Sequence, residues 1–234
     1  FCSVAAAERF GVSRDQWVFP VASAVSNAMI PLSERPELGS HPAPRLIGEW
    51  LGPDAVQSAE HLDLYSCFPA AVQIQADGLG IDTDRQLTVT GGMSFAGGPL
   101  NNYALGALAE LHRVLITDGG TGLLTSVSGM LTKNSGSLWS STPPDHFFRS
   151  TDVGPDVEAA TERRPVDADY AGPATIDGYT VVHAGGEPAT AVVIASAPDG
   201  RRAVATSNEL AADMADGEWV GRLLNLRGDH IVDG

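Results

Sequence analysis

Hydrophobic residues in the first part of the chain alternate between two spacings. Short β-branched or apolar runs, typical of strands, are followed by longer segments whose apolar residues fall on one helical face. The predicted helices are "SVAAAERFGV", with Ser3 as N-cap and Gly11 as stop, "SHPAPRLIGEWLG", from Ser40 to Gly52, "FPAAVQIQADGLG" and "YALGALAELHRVL". The predicted strands are "QWVFPVAS", "HLDLYSC", "LTVT" and "TGLLTSVSGMLTK". This alternation predicts an α/β domain, a sheet with helices packed on it.

The pattern changes in the last third of the chain. Residues 141–172 are rich in proline and acidic side chains and lack apolar periodicity, so we interpret them as a linker. Beyond them, β-rich segments alternate with turns such as "GGEP", and "NELAADMA" predicts a short helix capped by Ser207. We therefore predict two domains, residues 1–140 and a small β-rich, OB-like or barrel-like domain over residues 173–234.

The composition and net charge of the chain exclude some classes of function. The 234 residues are 43% hydrophobic, as in an ordinary globular protein, and carry a formal net charge of −15. This charge argues against nucleic acids and anionic membranes as partners, because both require a basic surface. No apolar stretch reaches the roughly 18 residues of a membrane span, and no signal peptide opens the chain, so we expect a cytoplasmic protein. Because the chain starts at Phe1 without an initiator Met, we expect a processed, cloned or partner-dependent fragment.

Cysteine and histidine give no sign of a metal centre. The two cysteines provide no disulfide framework, and the six histidines are scattered without metal-ligand spacing. We expect no metal and no bound cofactor.

The segment "GGMSFAGGPLNNY" (Gly91–Tyr103, the glycine loop) stands out between "LTVT" and the predicted helix "YALGALAELHRVL". Glycine has no Cβ and tolerates positive φ, so a loop of this composition brings its backbone close to a neighbouring group. The question is which group it approaches.

Three stretches together resemble a known family. Asp63–Phe68 ("DLYSCF"), Gly91–Pro99 ("GGMSFAGGP") and Thr125–Lys133 ("TSVSGMLTK") are similar, in order and spacing, to three motifs in the C-terminal half of thiolases. Those motifs are Asn-Glu-Ala-Phe (or His-Asp-Cys-Phe), Gly-Gly-x-x-x-x-Gly-His-Pro and Cys-x-Gly. The first part of the chain resembles the thiolase-like acetyl-CoA acetyltransferases of actinobacteria. Its end resembles the extra C-terminal β-domain of type 1 thiolase-like proteins.

The resemblance implies a fold and a chemistry. It implies a thiolase-like layered domain, a mixed sheet with covering helices, and acyl-CoA as a substrate. In thiolases a cysteine from the N-terminal half holds the acyl group, and the Gly-His-Pro histidine activates it. The Cys-x-Gly cysteine exchanges the α-proton of the second substrate, and the Asn or His of the first motif orients a water in an oxyanion hole.

Residue by residue, this chain departs from those motifs. The histidine position holds Gly98, the Asn or His position holds Tyr65, and the Cys-x-Gly cysteine position holds Ser126. The resemblance therefore implies that the catalytic His and Cys are replaced. The catalytic candidates that remain are Tyr65 and Ser126. The substrate-binding candidates are Gly97, Gly98, Pro99 and Asn101.

Four further side chains have structural interpretations. Cys67 fills the Ala/Cys slot of the first motif, so we expect a buried structural thiol. Cys2 is expected to be structural, at the end of a sheet strand. Arg201 and Arg202 are interpreted as surface charges that flank a turn.

Three functional hypotheses remain open. The first is a diverged thiolase-like protein of lipid metabolism, related to acetyl-CoA acetyltransferases, that handles acyl-CoA thioesters but cannot catalyse standard thiolysis alone. The second is a non-catalytic acyl-CoA-binding or scaffolding module. The third is a thiolase-like lyase, a retro-aldolase on a CoA thioester with Tyr65 as acid/base. The expected partner is the missing N-terminal thiolase half or a second copy of this chain.

Overall fold

The computed structural model describes residues 1–233. The chain divides into two compact units. The first comprises Phe1–Met29 and Gly39–Ala160, and the second comprises Ile30–Leu38 and the chain from Thr161 onwards. No helix within the described residues is long and apolar enough to cross a bilayer.

Side chains cap the N-termini of the first two helices of the first unit. The hydroxyl of Ser3 accepts a first-turn N–H at 3.2 Å and starts the first helix, as predicted. The second helix is capped by His41, whose Nδ1 accepts a backbone N–H at 3.2 Å, rather than by Ser40. The helices are α1 (Val4–Arg9), α2 (Pro42–Leu51), α3 (Pro53–Ser58), α4 (Pro69–Leu79), α5 (Met93–Ala96), α6 (Tyr103–Asp118) and α7 (Gly154–Ala159).

Five strands of this unit form one mixed sheet, which confirms the predicted α/β class. The strands are β1 (Phe19–Ser26), β2 (His61–Asp63), β3 (Thr121–Ser128), β4 (Lys133–Ser140) and β5 (Arg149–Asp152). Their order is β2-β3-β4-β1-β5. The outer pairs β2–β3 and β1–β5 are parallel, and the inner pairs are antiparallel.

Helices cover both faces of the sheet. A Cβ at Gly122 of β3 would lie 2.7 Å from Leu111 of α6, and one at Gly136 of β4 would lie 2.7 Å from Ile47 of α2. Gly136 pairs with Thr125, which is three residues from Gly122 and so points to the opposite face. Both helices therefore pack closely on the sheet, one on each side.

The second unit is a closed barrel, which confirms the predicted barrel-like β-domain. Its elements are β6 (Ala171–Ala184), β7 (Glu187–Ser196), β8 (Arg202–Ser207), α8 (Ala211–Asp216), β9 (Leu223–Arg227) and β10 (His230–Asp233). The strand order is β10-β8-β7-β6-β9, and β10 closes the barrel by pairing with both β8 and β9. Small side chains such as Ala191, Ala195 and Ala205 fill the interior beside Trp219 and Met214.

The barrel unit also contains Ile30–Leu38, a segment far away in sequence. Arg202 is only 2% exposed, and its guanidinium donates to the carbonyls of Arg35 at 2.6 Å and Pro36 at 3.1 Å. Its Nε donates to Asp177 at 3.1 Å. The prediction that Arg202 is a surface charge is therefore wrong, although Arg201 beside it is exposed and pairs with Asp199.

The stretch interpreted as a linker, residues 141–172, contains regular structure. Strand β5 pairs with β1, and the N–H of Val153 bonds to Val25 at 2.8 Å before α7 begins. This part of the chain, up to Ala160, belongs to the first unit. The predicted strand "LTVT" is reduced to a single bridge between Thr88 and Asp63.

Candidate functional site

The motifs meet at one edge of the sheet. Strands β2 and β3 are parallel, so their carboxyl ends lie side by side, with Asp63 opposite Leu124. The segment after β2 is fixed to β3 because the N–H of Tyr65 donates to Thr125 Oγ1 at 2.9 Å. Ligands of open α/β sheets commonly bind at such an edge.

A buried glutamine on α4 secures this junction. Gln75 Nε2 donates to the carbonyl of Tyr65 at 2.8 Å, and its Oε1 accepts from Thr125 Oγ1 at 2.6 Å. These bonds hold the backbone at Tyr65 from both sides, which fixes where the next side chains emerge.

The glycine loop approaches Ser66. Gly92 is buried with φ +79°, and a Cβ placed on it would lie 2.9 Å from Ser66 Oγ. The N–H of Met93, the first residue of α5, donates to the same Oγ at 2.9 Å. The close approach that glycine permits here therefore brings the loop backbone against a hydroxyl of the first motif.

A fully buried carboxylate lies beneath the loop. Asp63 Oδ2 accepts from Thr90 Oγ1 at 2.7 Å and from the Thr90 N–H at 3.1 Å. Asp63 Oδ1 accepts from the hydroxyl of Tyr103 at 2.9 Å. Ser66 Oγ in turn donates to Tyr103 at 3.5 Å. Four side chains from three segments therefore form one hydrogen-bonded network, Asp63, Thr90, Tyr103 and Ser66.

Burial governs the electrostatics of this network. It raises the pKa of the Asp63 carboxyl, although hydrogen bonds from Thr90 and Tyr103 oppose the change. Burial also raises the pKa of Tyr103, an effect to which the Asp63 charge adds. Tyr65 packs edge-on against Tyr103 with ring centroids 5.4 Å apart, and burial, together with Cys67, raises its pKa. Both phenols therefore stay protonated at neutral pH.

The predicted substrate-binding residues follow on the same loop. Gly97 and Gly98 are exposed, and Asn101 lies in a short exposed turn before α6. Pro99 and Tyr103 line a cavity of 310 Å³ between the loop and α6. A Cβ at Gly98 would meet only Met93 Sδ, at 3.9 Å, so this position has room for a larger side chain.

Ser126 has a different environment from Ser66. Its Oγ lies 2.7 Å from Ser135 Oγ across the β3–β4 pair. Its hydroxyl partner is thus another serine rather than a titratable group, while its chain neighbour Thr125 holds Tyr65 in place.

Both cysteines are exposed, and neither has the predicted placement. Cys67 was expected to be a buried thiol, but it lies on the surface just before α4. Cys2 precedes α1 instead of ending a strand. Motif position alone predicted the burial of Cys67, and the loop between β2 and α4 leaves its side chain exposed to solvent.

An apolar groove of 700 Å³ runs along α6. It is lined by Phe1 and Trp17 of the N-terminal segment, by Leu105 and Leu108 of this helix, and by Trp139 of β4. Leu105 is 59% exposed and lies on the helix stripe that continues to Ile116, which is also exposed. This helix therefore presents apolar side chains on the face turned away from the sheet.

Sequence reasoning missed the buried part of the site. Asp63 and Ser66 stood within the first motif, and Tyr103 closed the glycine loop, yet none was singled out. One available signal was the carboxylate of Asp63 in an otherwise apolar, alternating strand, because a buried charge requires hydrogen-bonding partners.

Comparisons with known proteins agree with this architecture. No family model matches the sequence, and a comparison with curated proteins gives no match either. The layered domain, the three motif loops at one sheet edge and the added barrel together define a thiolase-like fold. Among solved structures, the chain is similar to a monomeric SCP2-thiolase-like protein type 1 from Mycobacterium smegmatis, with a TM-score of 0.84 and 28% identity. The match covers 99% of this chain and 54% of that one, so this chain spans about half of that protein's length. The predicted thiolase-like fold is confirmed.

Proposed function

We propose that this chain is a diverged thiolase-like module of lipid metabolism that binds acyl-CoA thioesters and cannot catalyse thiolysis by itself. The observation that carries the proposal is the glycine loop. Its backbone still lies against the first motif, because a Cβ placed on Gly92 would be 2.9 Å from Ser66 Oγ, whereas the histidine position holds Gly98. The loop geometry is retained without the imidazole that activates the thiolase cysteine.

The cavity beside the loop supports binding of a small acyl group. Its volume of 310 Å³ is at the lower end of the range of ligand sites, about 300–1,000 Å³. Pro99, Tyr103 and Thr90 line it, so it combines an apolar wall with two hydroxyls. We propose that Gly97, Gly98, Pro99 and Asn101 form the rim at which the thioester enters, and that the protein acts in the cytoplasm.

We further propose that a thiolase-like half covers the exposed face of α6. The groove of 700 Å³ is mainly apolar, and large exposed apolar patches mark interaction sites. The similar protein from M. smegmatis is described as monomeric and is nearly twice as long as the matched part. This favours a thiolase-like half over a second copy of this chain as the partner. A Leu105→Arg variant tested by analytical ultracentrifugation distinguishes the two, because it abolishes self-association only if a second copy covers the groove.

The proposal is tested by binding and by turnover. Calorimetric titration with acetyl-CoA should show saturable binding, weakened by a bulky Gly97→Trp change at the rim. Thiolysis of acetoacetyl-CoA should be absent, and Gly98→His should not restore it, because the nucleophilic cysteine is also lacking. Absence of acetyl-CoA binding would refute the proposed binding function. Thiolysis of acetoacetyl-CoA by the purified chain would refute the claim that the chain cannot catalyse this reaction by itself.

A retro-aldolase is the second candidate, and one observation favours it. Tyr65 stands half-buried beside Tyr103, with a raised pKa that keeps its phenol protonated. A protonated phenol can donate to the enolate that forms when a carbon–carbon bond next to a thioester breaks. Tyr65→Phe should then abolish aldehyde or ketone release from a β-hydroxyacyl-CoA. If CoA binds and neither reaction occurs, the chain is a non-catalytic binding module.

A further inference from the structure

In the network beneath the glycine loop, successive hydroxyl groups donate hydrogen bonds in the direction from Ser66 to Asp63. Ser66 Oγ donates to the Tyr103 hydroxyl at 3.5 Å, and that hydroxyl donates to Asp63 Oδ1 at 2.9 Å. Ser66 is half-buried, whereas Tyr103 is 2% exposed and Asp63 is fully buried. The donors thus run from a half-buried serine hydroxyl through a phenol to a buried carboxylate.

This arrangement has the parts that activate a hydroxyl nucleophile. Such a nucleophile needs a path for its proton, a base at the end of that path, and a group that orients the base. Tyr103 supplies the path and Asp63 the base. Thr90 orients the carboxylate through two bonds, at 2.7 and 3.1 Å.

The backbone supplies a second form of activation. The N–H of Met93 donates to Ser66 Oγ at 2.9 Å, and a bond to the oxygen that becomes negative favours the deprotonated form. Gly92 makes the contact possible, because any Cβ there would lie 2.9 Å from the same Oγ. Ser126, by contrast, lies 2.7 Å from the hydroxyl of Ser135, and the described part of the chain gives it no other side-chain hydrogen bond.

We propose that Ser66 is an acyl acceptor, which takes the acyl group of a thioester as its proton moves through Tyr103 to Asp63. The Ser66 Oγ–carbon bond forms and the carbon–sulfur bond breaks. The proton on Asp63 returns through the same relay to the departing thiolate, so the products are a serine ester and a free thiol. No oxidant or reductant is required. The proposal rests on the proposed function for its acyl donor, and it gives the module a nucleophile of its own in place of the absent cysteine.

Ser66 is the group that would contact substrate, and Tyr103 and Asp63 act through it as positioning residues. Tyr103→Phe keeps the ring that packs on Tyr65 and removes only the relay hydroxyl. Asp63→Asn keeps the side-chain size and removes the base. A merely structural role for either residue would leave the pH dependence of acylation unchanged. A relay role predicts that Asp63→Asn removes the acidic limb of the pH profile.

The test uses the purified chain with two acyl donors. Acetyl-CoA should give one acetyl adduct per chain by intact-mass spectrometry, mapped to Ser66, with an equal amount of CoA released. The activated ester p-nitrophenyl acetate should give a stoichiometric burst that needs no CoA recognition. Ser66→Ala should abolish both, and Tyr103→Phe should slow them by about 100-fold, the size of a general-base contribution.

Matched variants exclude the other nucleophiles. Ser94→Ala changes an exposed serine of the same loop, and Cys67→Ala removes the exposed thiol next to Ser66; neither should alter the adduct. Neutral hydroxylamine cleaves thioesters and spares the Ser66 ester. Ser66→Cys, which keeps a side chain of similar size under the loop, should make the adduct sensitive to hydroxylamine even if Ser66→Ala folds poorly.

The outcomes separate this proposal from the function it rests on. An adduct on Cys67 or on the N-terminus alone, or no adduct with either donor, overturns the role of Ser66. A burst at Ser66 with p-nitrophenyl acetate but no binding of acetyl-CoA supports the acyl acceptor and refutes acyl-CoA as donor. Binding of acetyl-CoA without an adduct at Ser66 from either donor refutes the acyl acceptor and leaves the binding function standing.

Discussion

The buried guanidinium of Arg202 gives the sharpest test of how the barrel unit is held together. Arg202→Ala removes an ion pair with Asp177 and the donors to the Arg35 and Pro36 carbonyls. The side chain is 2% exposed, so little water is available to replace those bonds. Removing one partner of a buried pair costs about 3–5 kcal/mol. At the lower value, a unit of this size should lose roughly 12–24 °C in melting temperature.

Calorimetry and hydrogen exchange together make the assay specific. Differential scanning calorimetry should show the barrel transition at lower temperature, and exchange should accelerate in residues 30–38 and in β8. Arg202→Lys keeps the charge but cannot reach three acceptors with one planar group, so it should recover only part of the loss.

Arg201→Ala is the matched control. This neighbouring arginine is 44% exposed and pairs with Asp199 and Asp167 at the surface, where ion pairs contribute about 0–1 kcal/mol. If Arg202→Ala lowers the melting temperature of the barrel unit no more than Arg201→Ala does, the buried contacts of Arg202 do not stabilise the unit as expected.

Three further predictions concern the first unit. Gly92→Ala should lower the free energy of unfolding, measured with denaturant, by about 1–3 kcal/mol, because Gly92 has positive φ and a Cβ there would contact Ser66. Gly98→Ala should change it by no more than about 0.5 kcal/mol. Equal losses in the two variants would contradict the close approach at Gly92. Burial raises the pKa of Asp63, so its stabilising contribution is present below the unfolded pKa and is lost as pH rises through the folded one. The stability of the wild type relative to Asp63→Asn should therefore fall as pH increases from about 4, and a gap in melting temperature that is constant with pH would exclude this titration. Met130 is exposed and has φ +52°, a conformation that strains any residue with a Cβ. Met130→Gly should therefore raise the free energy of unfolding by about 0.5–1 kcal/mol. A lower free energy of unfolding would show that contacts of the Met130 side chain outweigh this strain.

Local signals predicted most of the first unit. Ser3 caps α1, glycines end the helices near Gly52 and Gly80, and the apolar periodicity of α6 is strong over four turns. Strand β5, with the sequence "RSTD", has no apolar pattern because it is an exposed edge strand, so composition pointed to a linker instead. "LTVT" has strand composition but makes only a bridge, at Thr88.

The sequence predicted the motif residues near the site but not the contacts between distant segments that build it. Motif comparison located Tyr65, Gly98 and Ser126, since each occupies a fixed place in a short pattern. The bond between Tyr103 and Asp63 joins residues 40 positions apart and depends on how α6 packs on the sheet. No local spacing encodes that contact, and the burial of Arg202 escaped prediction for the same reason.

The path of the chain through the barrel unit has a consequence for synthesis on the ribosome. Arg202 and its acceptor Arg35 are 167 residues apart in sequence. At a translation rate of about 5–20 residues per second, Ile30–Leu38 emerges roughly 8–30 s before β8 exists to bind it. During that interval the nascent segment has no barrel to join, so the second unit can close only after β8 has been synthesised. A ribosome-bound chain stalled before β8 should therefore leave residues 30–38 open to protease, and release of the full chain should protect them.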